Sequence, residues 1–115
     1  MYRQRKQCYR NAFLNAEIDP KRFVYCEGFC WHRIGQQIPI RHAWIIARDK
    51  PQLALDSTLD KATIYDYLGV PIQQSSIAEF MRENQTFGPV LGWPAFSGSS
   101  ARQVIEPIAD LKTPE

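Results

Sequence analysis

Long apolar runs are missing from this chain. No stretch approaches the ~20 consecutive apolar residues that span a bilayer. The basic opening (Arg3, Arg5, Lys6) is not followed by an unbroken apolar segment, so no secretory signal is expected. Net charge is small too: +2 over 115 residues is too little to argue for nucleic acid by itself. Cysteine is scarce, three in all, an odd number without the close spacing of a disulfide scaffold. Free thiols in a reducing, cytoplasmic setting are the expectation. There is no internal repeat and no low-complexity block. With 44% hydrophobic and 23% charged residues the balance is globular rather than disordered. A chain of this length supports one domain around one core.

The pattern that is present reads as α+β. Between Gln4 and Glu17 the apolar positions Tyr9, Ala12, Phe13 and Ala16 fall on one helical stripe. Asp19-Pro20 ends that segment, because the residue before a proline avoids the helical region. Phe23 to Trp31 alternates as a strand covered on both faces, Ile40 to Ala47 is a second strand, and Gln52 to Asp56 a third after the turn Arg48-Asp49-Lys50-Pro51. A further extended stretch runs through Tyr65 to Pro71. Ser76-Ile77-Ala78-Glu79 has the form of a capping box opening a short amphipathic helix to about Asn84. The glycines and prolines that follow, with Ser97-Gly98-Ser99-Ser100, predict irregular structure. The expectation is one domain over residues 1–96 and a flexible C-terminal tail over 97–115. The domain would pack its N-terminal helix on a three- to four-stranded antiparallel sheet.

Three residues point to chemistry. Cys8 lies near the start of the first helix, His42 on the second strand, and Asp56 at the end of the third. Thiol acyl transfer needs a thiolate, a base to take and return the proton, and a group that holds the base in one tautomer. A helix N-terminus favours the anion through its unpaired N–H groups, and Arg3, Arg5, Lys6 and Arg10 add positive charge nearby. Direct opposition of His42 and Asp56 across a hairpin requires an odd-length loop, such as Arg48-Asp49-Lys50, or an equivalent bulge. The common two- and four-residue loops set Asp56 beside Ala43, on the other face. In the required register His42, Trp44, Ile46, Ala54 and Asp56 share a face, suited to receiving the Cys8 helix.

Cys8-Tyr9-Arg10-Asn11-Ala12, Tyr25-Cys26-Glu27-Gly28, His42-Ala43-Trp44, Asp56-Ser57-Thr58 and Tyr67-Leu68-Gly69-Val70-Pro71 together resemble the papain-like transglutaminase superfamily. That superfamily includes transglutaminases, arylamine N-acetyltransferases and related cysteine proteases. The string is similar to small bacterial and phage proteins within it. The resemblance covers residues 8–72. It implies a nucleophile helix on an antiparallel sheet, with Cys8 as nucleophile, His42 as base and Asp56 as orienting partner. It also implies an oxyanion hole, for which the Cys8 backbone N–H is one donor and Gln4 or Gln7 the other. The separation of 34 positions between Cys8 and His42 makes the scaffold a small one.

Each of these residues also has a plainer role. Cys8 fits a small buried helix residue, His42 a satisfied strand histidine, and Asp56 a cap on the Ser57-Thr58 turn. Trp31, Trp44 and Trp93 read as core aromatics, although Trp44 is also placed to wall a pocket beside His42. Cys26, Cys30 and His32 alternate on one strand face, but a strand lacks the paired loop spacing of a zinc site, so no metal and no cofactor is expected. Glu27-Gly28 marks a bulge or a close backbone approach. Two functional expectations stand beside a third, a small structural factor in which the trio is coincidental. One is a cysteine hydrolase or acyltransferase whose partner is a protein or peptide substrate. The other is a non-catalytic binding protein on the same scaffold, for instance a phage-encoded inhibitor of a host protein. Neither nucleic acid nor membrane is an expected partner.

Overall fold

The computed structural model describes residues 1–59 and 64–91. Six elements follow in order: α1 (Cys8–Ile18), β1 (Phe23–His32), β2 (Ile40–Ala47), β3 (Lys50–Leu55), β4 (Tyr65–Ile72) and α2 (Gln74–Asn84). The fold is α+β, as the patterning predicts. The tail expected over 97–115 and Trp93 lie outside the described residues. No helix among those described is long and apolar enough to cross a membrane.

The four strands form one antiparallel sheet in the order β3-β2-β1-β4. β1 and β2 occupy the centre, which explains the dense aromatic and β-branched run in both. β3 and β4 are the edges, and each carries a proline (Pro51, Pro71) that a central strand would not accommodate. One face carries Tyr25, Ala43, Ile45 and Ile72. On it sit the Ala12, Phe13 and Ala16 stripe of α1, Ile77 of α2, and Leu91. Full burial of each such isoleucine contributes about 1.5–3 kcal/mol, so this face sets the docking of both helices. The opposite face gathers Val24, Cys26, Trp44 and Ile46, with Ala54 and Tyr67 packed against them.

The sheet curls toward that second face. Trp44 and Tyr67 bring their rings to 4.9 Å there. Tyr67, on one edge strand, donates its hydroxyl to Asp56, just past the other, at 2.8 Å. Glycines permit this curl. A Cβ at Gly28 would collide with the backbone of Leu68 and Gly69, and one at Gly69 would strike the backbone of Glu27 and, at 2.7 Å, the Trp44 indole. Gly28 faces Gly69 in unbroken register, so Glu27-Gly28 marks a close approach and not a bulge.

Three expectations need correction. α1 begins at Cys8 rather than Gln4, because Lys6 adopts a left-handed backbone (φ 58) within a turn in which the Gln7 N–H donates to the Gln4 carbonyl. α2 begins at Gln74, so Ser76 lies inside the helix, and its N-cap Gln73 makes no side-chain cap. The body of α1 packs on the Ala43 and Ile45 face, not on the Trp44 and Ile46 face. Its first residue, Cys8, lines a cavity together with His42.

Candidate active site

Asp56 is set by the β2–β3 hairpin. The two strands turn through Arg48-Asp49, with Ala47 paired to Lys50, and a bulge after Ile46 then shifts the ladder so that Ile46 faces Ala54 and Ile45 faces Leu55. This bulge supplies the parity that a two-residue loop lacks, and Asp56 falls on the His42 face. The register is two residues from the direct opposition expected. Extended by one residue, the ladder would set Asp56 opposite Trp44, so Asp56 meets His42 on the diagonal, within reach for these side chains. His42 Nε2 and Asp56 Oδ2 lie 2.6 Å apart, both side chains almost wholly buried.

Both carboxylate oxygens of Asp56 are used. Oδ2 takes the His42 and Tyr67 bonds, and Oδ1 accepts the Thr58 N–H at 2.9 Å and the Leu59 N–H at 3.3 Å. The strand-ending cap and the histidine partner are therefore one residue in two roles. The ring of His42 is held by stacking against Trp44 at 6.3 Å and by Tyr67 at 6.4 Å.

With Nε2 bonded to Asp56, Nδ1 is the nitrogen left for Cys8, which lines the same cavity as this imidazole. Burial disfavours the imidazolium, but the hydrogen bond to Asp56 and its negative charge, with Cys8 adjoining, outweigh it. They raise His42 from 6.5 to about 9. Burial likewise pushes Asp56 up, yet bonds from His42, Tyr67 and the Thr58 N–H, with the charge of His42, hold its carboxyl below the usual range. Burial drives Cys26 and Cys30 up to about 12, leaving them poor nucleophiles. All three cysteines are free, and only Cys8 is partly exposed.

Cys8 and His42 open into a cavity of about 530 Å³ lined also by Arg3, Arg5, Lys6, Ile40, Ser57, Thr58 and Leu59. The first N–H groups of a helix have no partner within it, and the Gln7 side chain does not cap those of α1. The Cys8 N–H is thus placed to donate to a developing oxyanion.

The remaining expected site residues are placed differently. Trp44 is 5% exposed and supports the imidazole from behind, outside the cavity lining. Gln4 and Gln7 do not line the cavity either. The main chain of Gln4 is gripped by Asn11, and Gln7 is the N-cap. Arg10 lies over the Tyr2 ring rather than in the cavity. Cys26 is buried within the sheet, and no group of three His, Cys, Asp or Glu among the described residues is arranged to hold a metal.

Three positioning residues escape the sequence reading. Tyr67 is one. The others are Asn11 and Asn15, buried one turn apart on α1. Asn11 accepts the Gln4 N–H and donates to the Gln4 carbonyl and the Thr58 hydroxyl; Asn15 accepts the Tyr2 N–H and donates to the Tyr2 carbonyl and the Ser57 hydroxyl. Two asparagines at i, i+4 inside a helix are the available signal, since asparagine competes with helical hydrogen bonding unless it has such work.

Comparison of the chain with protein-family models, curated proteins and solved structures found no match.

Proposed function

We propose that this chain is a cysteine hydrolase or acyltransferase of the transglutaminase-like type, acting on an amide, isopeptide or thioester of a protein or peptide. One observation carries the reading: a helix-heading cysteine lines one cavity with an imidazole that a buried aspartate holds at 2.6 Å. In this reading His42 takes the Cys8 proton, and the sulfur attacks the acyl carbon to form a C–S bond. The Cys8 N–H donates to the oxyanion. The imidazolium then protonates the leaving amine or thiol as its bond to the acyl carbon breaks. Water or an acceptor amine, losing its proton to His42, attacks the acyl-enzyme and releases Cys8. Raised above its ordinary value, His42 holds the proton it takes from Cys8 until the leaving group receives it. Three free thiols fit a reducing compartment such as the cytoplasm.

The test is alkylation by iodoacetamide at neutral pH with peptide mapping. Cys8 should be labelled before Cys26 and Cys30, and its rate should fall at least tenfold in His42→Ala. An unreactive Cys8, or one indifferent to His42, contradicts the reading.

A further inference from the structure

We propose that the Cys8 cavity takes an acidic peptide, one that carries carboxylates beside the amide or isopeptide it presents to the sulfur. The proposal rests on Cys8 being the nucleophile and adds the substrate class. Apart from His42, the charged lining among the described residues is wholly cationic: Arg3, Arg5 and Lys6. None of the three forms an ion pair with a described residue. Nearby cations are already engaged, Arg10 over the Tyr2 ring and Arg41 donating to the Leu91 carbonyl at 2.8 Å.

The arm that carries these cations is held in place. Asn11 and Asn15 each bind its main chain through both donor and acceptor, fixing Tyr2 and Gln4 along α1. The same side chains bind Thr58 and Ser57, which form another wall of the cavity. Lys6, two positions before Cys8, adopts a left-handed conformation (φ 58), a costly geometry for a side-chain-bearing residue. The result is three cations on a fixed arm and the Gln4–Gln7 turn that leads into the helix of the sulfur. Three cations lining one cavity match a ligand that carries more than one carboxylate. Ile40 and Leu59 add apolar wall, which suits a peptide better than a bare inorganic anion. No aromatic ring besides the His42 imidazole lines the cavity among described residues, which argues against a stacked nucleobase. A cleft of one sign raises the local concentration and encounter rate of opposite charge by tenfold or more.

Alkylation with a charged and a neutral reagent reads this field directly. The iodoacetate-to-iodoacetamide rate ratio at Cys8 should exceed that of an unstructured cysteine peptide by about tenfold. It should fall to the peptide's ratio in Arg3→Gln/Arg5→Gln/Lys6→Gln and, in the wild type, at 1 M salt, where charges are screened within about 3 Å. Lys21→Gln/Arg82→Gln, which removes exposed charge elsewhere, should keep the wild-type ratio. In a protection assay, a glutamate- and leucine-containing pentapeptide should shield Cys8 from iodoacetamide at a tenfold lower concentration than its lysine counterpart or inorganic phosphate. A reactive Cys8 with the free-peptide ratio, or phosphate protecting as well as the acidic peptide, overturns the substrate class alone. A Cys8 inert to both reagents overturns the nucleophile reading and this proposal with it.

Discussion

His42 and Asp56 meet at 2.6 Å across a diagonal of the β2–β3 hairpin, and a bulge after Ile46 makes the meeting possible. Asp56→Asn keeps the shape of this contact but lets the amide fix the wrong tautomer. Acyl transfer should fall on the order of 10² to 10⁴-fold with far less effect on thermal unfolding, measured by steady-state kinetics beside a melting curve.

The same pair makes stability depend on pH in a defined direction. His42 titrates at about 9 in the folded protein against 6.5 ordinarily. Its contribution is therefore complete below about pH 6.5 and is lost as pH rises through 9. Asp56 is held low, so its contribution is complete above the ordinary carboxylate range and is lost as pH falls through its depressed value. Urea midpoints should drop between pH 6 and pH 9.5 in the wild type, and His42→Gln should flatten that slope.

Tyr67 closes the curl by donating to Asp56. Tyr67→Phe leaves the ring packing but removes a hydrogen bond to a charged group, at a cost of about 1.5–3 kcal/mol in denaturant unfolding. The Asp56 carboxyl should titrate higher in the variant, which carbon-detected NMR can follow.

Gly28 has no room for a side chain, since a Cβ there would overlap the backbone of Leu68 and Gly69. Gly28→Ala should destabilise by about 3 kcal/mol, and Tyr67 should withdraw from Asp56 as the β1–β4 pair parts. Gly35→Ala, at a turn with open space but φ 92, should cost less, about 1 kcal/mol.

Much of this architecture is legible in local pattern. β2 spans Ile40 to Ala47 as its alternation predicts, and α1 stops before Asp19-Pro20 because of the proline. The order Cys8, His42, Asp56 and the need for an odd parity or a bulge follow from strand periodicity. What escapes is long-range. α1 starts four residues late because Asn11 and Asn15 take up the main chain of Tyr2 and Gln4, a tertiary demand that outweighs helix propensity. The apparent capping box at Ser76 fails because the helix already runs from Gln74. Tyr67 and Asp56 meet only because the sheet curls, and that curl depends on two glycines far apart in the chain.

The central claim is that Cys8 carries an acyl group under the control of His42. Intact-mass spectrometry after mixing with p-nitrophenyl acetate tests it most directly. One acetyl group per chain should appear on Cys8, located by peptide mapping, within the burst of nitrophenol release. It should then be lost to water or to an added amine, with both steps slowed at least a hundredfold in His42→Ala. Acetyl groups scattered over lysines with Cys8 unmodified, or an equal burst in His42→Ala, would contradict it.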